Sequence, residues 1–268
     1  MSRPWIDARP RPAERVTHSI EIDGRKYYLF WGETHGHSNL SADSWYHSPD
    51  GYYRYGRDTA KLDFCALTDH DAPASLAKFP RRWEKTIEAA DRFYSPGEFA
   101  TVAAFEWTSG TPEGSMVPRL LRRRRFDYLD DPRHFGHRNV YFPGPDYPDR
   151  VFSHDDPGFD TPEKLWAAMR PFGAVAVPHH PLGGPVCPFI WDHFDPELEP
   201  VVEIYSTHGN SECERCMHEI YNPYRNGRHS VQDALDRGLR FGFIASSDTH
   251  MGLASNFTYP DFNISFSQ

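Results

Sequence analysis

The sequence predicts an α/β protein in which seven strands and their connecting helices close into a distorted, TIM-barrel-like barrel. Seven short β-rich runs recur along the chain, and helical patterns lie between several of them. The runs show little polar–apolar alternation, which is typical of strands buried on both faces of a parallel sheet. Alternating units of this number favour a barrel with its active site at the carboxyl ends of the strands.

The strands are predicted from runs rich in β-branched, aromatic and small apolar residues. In order they are Tyr27–Trp31, a run ending at Leu67, Ala100–Phe105, a run around Val140–Phe142, Ala174–Val177, Val201–Tyr205 and Phe241–Ala245.

Four helices are predicted between these strands. Pro49–Lys61 is a helix begun by proline, and Pro80–Phe93 carries apolar residues at helical spacing. Thr161 caps a helix that runs through Met169, and Ser230–Leu239 forms the last helix.

Length and composition indicate one globular domain over residues 1–268. The net charge of −9 argues against a broad nucleic-acid or anionic-membrane surface. No apolar run approaches the roughly 20 residues of a membrane span, and the first 16 residues lack an apolar signal core. The four cysteines lack the spacing of a secreted disulfide framework, and the lone CxxC at Cys213 and Cys216 is a weak zinc signal. We therefore expect a cytoplasmic protein.

Six of the seven strands lead into or out of a residue that binds metals well. Imidazole and carboxylate are ligands for zinc, manganese and iron, and strands that deliver them at one end must converge on a cluster. The sequence therefore predicts a multinuclear metal site. The residues are His35, His37 and Asp43 after the first strand, His70 after the second, Glu106 ending the third, His137 before the fourth, His179 and His180 after the fifth, and Asp248 and His250 after the seventh.

Spacing supports this interpretation. Histidines at i and i+2, such as His35 and His37, point the same way at a strand end and can chelate one ion. Asp248 and His250 repeat that spacing. A lone carboxylate after an apolar strand, as at Glu106, is costly unless it bridges two cations.

These residues resemble, in order, the motif series of the PHP (polymerase and histidinol phosphatase) superfamily of metal-dependent phosphoesterases. The resemblance implies a distorted seven-stranded β/α barrel that holds up to three metal ions. The matching strings are His35-Gly-His37, Thr68-Asp69-His70-Asp71, Glu106, His137, His180-Pro181 and Asp248-Thr-His250, which span roughly residues 29–252.

The resemblance also implies how the ligands divide. One metal would be held by His35, His37, Glu106 and Asp248, with Glu106 bridging to a second. His137 and His180 would hold the second metal, and Asp43, His70 and His250 a third. His180 is preferred to His179 only because proline follows it, which leaves His179 to bind substrate.

Further candidates have two interpretations each. Asp69 and Asp71 either orient metal-bound imidazoles or cap strand ends. His208 follows the only strand without a matched ligand, so it is either a proton donor to a leaving group or an ordinary loop histidine. Arg138 or the Arg122–Arg125 run would hold a phosphate by forked hydrogen bonds, although a solvated charged face also explains the run.

We therefore expect a metal-dependent hydrolase, and a phosphomonoesterase or phosphodiesterase before other classes. Two or three divalent ions (zinc, manganese or iron) would activate water against a small anionic metabolite or short nucleotide. The alternatives are hydrolysis of a C–N or carboxylic ester bond at the same cluster, and a non-catalytic metal-binding module. A membrane partner is not expected.

Overall fold

The computed structural model describes residues 18–72, 74–109, 134–183, 188–218, 220 and 228–255. The strands formed in those ranges are β1 Ser19–Ile22, β2 Arg25–Tyr28, β3 Gly32–Glu33, β4 Phe64–Leu67, β5 Ala100–Trp107, β6 Arg138–Phe142, β7 Val175–Pro178, β8 Val201–Ser206, β9 Gly209–Asn210 and β10 Gly242–Ala245. The helices are α1 Pro49–Arg54, α2 Pro80–Phe93, α3 Pro162–Met169 and α4 Val231–Asp236.

Two sheets carry the predicted strands. The larger is a curled sheet in the order β3-β4-β5-β6-β7, and the smaller has the order β10-β8-β9. Strands β3, β4 and β5 are parallel, as are β8 and β10. Strand β6 is antiparallel to both of its neighbours, so the expectation of an all-parallel sheet is wrong at this strand.

Backbone hydrogen bonds link the edges of the two sheets. Beyond β3, the amide of His37 donates to the carbonyl of Thr249 over 2.8 Å, and the amide of Asp248 donates to the carbonyl of His35 over 3.0 Å. On the other side, the amide of Ala176 in β7 donates to Leu198 O over 2.8 Å, just before β8. The described ranges therefore form an α/β fold with a curled sheet, and their strands do not pair into one seven-stranded sheet.

The first predicted strand, Tyr27–Trp31, is displaced in the structure. Strand β2 ends at Tyr28 and forms an exposed hairpin with β1, while the strand of the large sheet begins at Gly32. Its aromatic residues suit a two-stranded hairpin as well as a buried strand, and local composition does not distinguish the two.

The helices agree closely with the sequence. Helix α1 continues into a π-helical turn over Tyr55–Thr59, and α2 has the predicted bounds. The hydroxyl of Thr161 accepts the N-terminal hydrogen bond of α3, and Ser230 forms a capping box with Asp233 in α4. Within the described part of the chain, none of the helices has the length and apolar character needed to cross a bilayer.

Alternation along the strands divides the core into two layers. Phe105 of β5 packs with Trp83 of α2 and Phe142 of β6 between sheet and helices. Ala104, on the opposite face, packs with small and β-branched residues of the neighbouring strands. Because successive side chains alternate, Glu106 lies on the same inner face as Ala104. The inner layer therefore supports the carboxylate from below.

Candidate metal centre

The candidate ligands converge at one edge of the sheets. Strands β4, β5, β7 and β10 deliver them at or just beyond their carboxyl ends, and β3 does so through His35 and His37. Since β6 runs in the opposite direction, its beginning lies at this edge, and His137 precedes it. The antiparallel direction thus explains why one ligand comes before its strand.

Glu106 lies at the middle of the centre, fully buried, with its two oxygens directed at different histidines. Its Oε2 is 3.5 Å from Nε2 of His35 and 3.4 Å from Nε2 of His37. Its Oε1 is 2.7 Å from Nδ1 of His137 and 3.3 Å from Nε2 of His179. This is the geometry of a carboxylate placed between two sites.

Asp248 completes the first set of ligand atoms. Its Oδ1 is 3.2 Å from Nε2 of His35 and 3.1 Å from Nε2 of His37. With Glu106, these residues are the four that the resemblance assigned to one metal, and three of them, His35, His37 and Asp248, have ligand atoms within 4.8 Å of one another.

The second set is a group of three histidines. Ligand atoms of His137, His179 and His180 lie within 4.8 Å of one another, and all three rings are buried. Proline after His180 favoured that residue as the ligand, but His179 is the one whose Nε2 contacts Glu106. The geometry therefore places His179 inside the cluster, together with His180.

The third set lies nearer to solvent. Oδ2 of Asp43 is 3.2 Å from Nε2 of His70 and 3.3 Å from Nε2 of His250. The side chain of Asp43 is 55% exposed, in contrast to the buried first and second sets. The rings of His70 and His250 each stack on His37, with centroids 4.3 and 4.2 Å away. The three sets are therefore contiguous.

The donor set fits divalent cations. In the described part of the chain, Nε2 of His35, both ring nitrogens of His179 and Nδ1 of His180 are buried without a hydrogen-bond partner. Buried polar atoms are normally satisfied, and imidazole nitrogens of this kind can coordinate a metal ion. The groups are imidazoles and carboxylates, as zinc, manganese and iron require.

The pKa values of the histidines at the centre shift in both directions. Burial would lower them all, but the facing carboxylates of Asp248, Glu106 and Asp43 raise the pKa values of His35, His70 and His250 respectively. Burial and the neighbouring His250 lower the pKa of His37 to about 3, and burial and His35 lower the pKa of His179 to about 4. Burial opposes ionisation of Glu106, yet the histidines around it, His70 first, hold the pKa of its carboxyl well below its usual range. Neutral imidazoles beside an ionised carboxylate are the forms that bind metal.

Asp69 and Asp71 differ in their relation to the centre. Asp69 accepts hydrogen bonds from the amide and hydroxyl of Ser38 and from Ser41, whose Oγ is 3.2 Å from Nδ1 of His37. Asp71 accepts from the amides of Thr108 and His154 over 2.8 and 2.6 Å. Asp69 thus acts on His37 through a serine, whereas Asp71 joins backbone segments.

Arg138 does not lie at the substrate side of the centre. Its guanidinium is fully buried, donates to Glu199 over 2.5 Å and to the carbonyl of His193 over 2.6 Å, and lies over the ring of Phe189. The expected phosphate-binding role of Arg138 is therefore corrected: in β6 its side chain alternates to the outer layer, away from Glu106.

His208 lies beside the first ligand set. Its Nε2 is 3.1 Å from Oδ2 of Asp248, and its side chain is 19% exposed. Its ring centroid is 5.6 Å from that of His180. His208 therefore lies at the partly exposed side of the centre, beside Asp248 and His180.

Two buried glutamates beneath the centre were missed from the sequence. Oε2 of Glu203 in β8 is 3.0 Å from Nδ1 of His35. Glu33 in β3 accepts hydrogen bonds from the amides of His35, Ser247 and Ser255. The available signal was a carboxylate inside or ending an apolar strand, the same signal that identified Glu106.

Two other sequence features fall outside this centre. The Arg122–Arg125 run lies outside the described residues. Cys213 and Cys216 form a disulfide, with Cα atoms 5.5 Å apart. The CxxC is thus a short covalent loop in the structure.

In sequence, the chain is similar to proteins of unknown function. A family described as protein of unknown function (DUF3604) matches residues 57–125. An uncharacterized protein of Chlamydia pneumoniae is 26% identical over 236 residues, which are 85% of this chain and 33% of the relative. One of Chlamydia muridarum (strain MoPn / Nigg) is 23% identical over 239 residues, 86% of this chain and 33% of the relative. The chain therefore spans about one third of the length of these curated relatives.

A solved structure shares the fold. It is a two-domain protein from Bacteroides vulgatus ATCC 8482 that contains a predicted PHP-like metal-dependent phosphoesterase. The likeness has a TM-score of 0.52 and 17% identity, and covers 91% of this chain and 57% of that one.

Proposed function

Because the chain has a PHP-like fold, we propose that it is a metal-dependent hydrolase that cleaves phosphate esters of small anionic molecules. The observation that carries the proposal is Glu106, whose two oxygens face separate groups of buried histidines. A carboxylate between two ligand sets is the arrangement required to hold two cations close together. Around it lie buried imidazoles, and several of their ring nitrogens have no hydrogen-bond partner among the described residues.

Three sets of side chains would each hold one metal ion. The first consists of His35, His37, Glu106 and Asp248, and the second of His137, His179 and His180, to which Glu106 connects. Asp43, His70 and His250 form the third. We propose two or three ions of zinc, manganese or iron, with the third the most easily lost, since Asp43 is exposed.

Clustered divalent cations, when bound, lower the pKa of a water from about 15.7 towards 7 and clamp the attacking and leaving oxygens of an in-line displacement. The protein itself positions the side chains that would hold the ions. Strand alternation and the inner layer fix Glu106, and Ser41 orients His37 while itself held by Asp69. A phosphate ester carries the negative charge that such a centre attracts.

His208 is proposed as the proton donor to the leaving group. Its Nε2 lies 3.1 Å from Oδ2 of Asp248, whose other oxygen faces His35 and His37. That contact holds the ring beside the cluster. A general acid must lie within hydrogen-bond reach of the leaving oxygen, and a group adjacent to the metals meets that condition.

The test is a panel of substrates on protein reconstituted with zinc, manganese or iron. It compares phosphomonoesters and phosphodiesters with lactones and amides, and uses chelator-treated protein and Glu106→Gln as matched controls. We expect hydrolysis of phosphate esters that requires added metal and falls to background in the variant. Metal-dependent hydrolysis of lactones or amides alone would instead identify an acyl hydrolase.

A further inference from the structure

Strand β8 is the predicted strand without a matched metal ligand, yet it contributes a carboxylate directly beneath the centre. Glu203 lies in its middle, and the side chains of Glu203 and His35 are both 0% exposed. Oε2 of Glu203 is 3.0 Å from Nδ1 of His35. On the other side of that ring, Nε2 is 3.2 Å from Oδ1 of Asp248 and 3.5 Å from Oε2 of Glu106.

A carboxylate at Nδ1 determines which imidazole nitrogen carries the proton. An ionised carboxylate only accepts hydrogen bonds, so Nδ1 of His35 donates and the lone pair is on Nε2. Nε2 is the atom directed at Asp248 and Glu106. We propose that Glu203 is a positioning residue that fixes the ring and proton of His35 for metal binding, an inference that rests on the proposed metal centre.

Three other rings of the centre, those of His37, His70 and His250, have a neutral oxygen as the nearest partner of Nδ1. Nδ1 of His37 lies 3.2 Å from Oγ of Ser41, and Nδ1 of His70 lies 2.8 Å from Oγ1 of Thr108. Hydroxyl groups can both donate and accept a hydrogen bond. Nδ1 of His250 lies 3.1 Å from the neutral carbonyl of Asp248. Of these four rings, only that of His35 has a carboxylate as the nearest partner of Nδ1, since the carboxylate oxygens near Nδ1 of His70 and His250 lie at 3.4 and 3.7 Å. A close carboxylate raises the basicity of the ligand nitrogen.

The second oxygen of Glu203 is less well satisfied than the one that faces His35. Among the described residues, Oε1 of Glu203 has no hydrogen-bond partner although it is buried. Burying a carboxylate with one oxygen unsatisfied is destabilising, and a histidine alone compensates only part of that loss. A cation held at Nε2 of the same ring would supply the remaining attraction through the imidazole.

Glu33 provides a matched control. It is also a buried glutamate close to His35, but it bonds to backbone: it accepts from the amide of His35 over 2.9 Å and from the amides of Ser247 and Ser255 over 3.2 and 3.0 Å. Its substitution by glutamine therefore removes a buried charge without removing a contact to an imidazole. Comparison of the two variants therefore distinguishes an effect on the orientation of the His35 ring from a general effect on the stability of the fold.

The experiment measures zinc affinity by competition with a chromophoric chelator for wild type, Glu203→Gln and Glu33→Gln, after circular dichroism confirms that each is folded. We expect Glu203→Gln to weaken zinc binding by about 10- to 100-fold, as other outer carboxylates of metal-bound histidines do. Glu33→Gln should lower thermal stability while changing zinc affinity by less than about 3-fold, because it touches no ligand ring.

A spectroscopic readout accompanies the affinity. In the zinc-loaded wild type, the Nδ1 proton of His35 should give a downfield, slowly exchanging NMR resonance, which Glu203→Gln moves upfield. Unchanged affinity and an unmoved resonance in Glu203→Gln would overturn this inference alone. A wild type that binds zinc but hydrolyses no phosphate ester would overturn the proposed function alone, and a wild type that binds no zinc would overturn both.

Discussion

Glu106 is the residue on which the centre depends, because it touches histidines of more than one ligand set. The sequence identified it as a lone carboxylate after an apolar strand, and the structure places it among His35, His37, His137 and His179. Alternation along β5 explains its orientation, since every second residue of the strand faces the interior.

Substitution of Glu106 should cost more than one metal. In Glu106→Gln the side chain keeps its shape but loses the negative charge that offsets repulsion between two close cations. We expect at least two of the bound ions to be lost together. Elemental analysis of the purified variant measures this, and full occupancy would remove Glu106 from the cluster.

His208 should matter in proportion to the basicity of the leaving group. An alkoxide needs a proton as it departs, whereas nitrophenolate leaves without one, so His208→Ala should slow hydrolysis of an alkyl phosphate by roughly 100-fold or more. Hydrolysis of p-nitrophenyl phosphate should change little. Steady-state kinetics on the two esters test this role of His208. Equal losses of hydrolysis rate on both esters would indicate a role in binding or metal placement instead.

At the scale of elements, strand direction determines which residues meet. Strand β6 is antiparallel, so His137 enters the centre from its start, while Arg138 alternates to the outer layer and pairs with Glu199. The loop after β3 has its own anchors: Ser44 donates to the carbonyl of His250 over 2.8 Å, which holds Asp43 against the third ligand set. Asp43 is therefore held at the third ligand set by a contact that involves neither of the other two sets.

Loss of Asp43 should empty the third site without disturbing the bridged pair. Asp43→Ala removes a carboxylate that contacts His70 and His250 but not the described ligands of the other two sets. We expect anomalous scattering from crystals of the variant to show reduced occupancy at that position only. Asp50→Ala, at an exposed carboxylate of α1 that pairs with Arg92, is a control that should leave all ions in place. Simultaneous loss of every ion would show that the division into sites is wrong.

At the scale of the whole molecule, the centre concentrates buried negative charge where the strands meet. Glu33, Glu106, Glu203 and Asp248 are all nearly or fully buried at this edge. Charges in such a position are stable only when paired, and the histidines around them are not all charged, since the pKa values of His37 and His179 are lowered to about 3 and 4. Metal is therefore expected to stabilise the fold as well as to support catalysis.

Metal removal should lower the melting temperature. At a free zinc concentration 100 times Kd, binding contributes about 2.7 kcal/mol for one site, which corresponds to roughly 5–10 °C in a chain of this size. Calorimetry of zinc-loaded and chelated protein at one pH measures the shift. Glu106→Gln should show a much smaller difference, and equal melting temperatures in loaded and chelated wild type would contradict a structural contribution of the metal.

The sequence by itself determined the α/β class, most of the helices and strands and nearly all of the residues that cluster at the candidate metal centre. These depend on local information: caps such as Thr161, strand runs such as β5, and a ligand at the end of a strand. Only the tertiary structure decided the direction of β6, the contact of His179 with Glu106, the burial of Arg138 and the partnership of Glu203 with His35. Those features join residues distant in the chain. No local propensity or spacing encodes which strands become neighbours or which side chains meet at the shared edge of the two sheets.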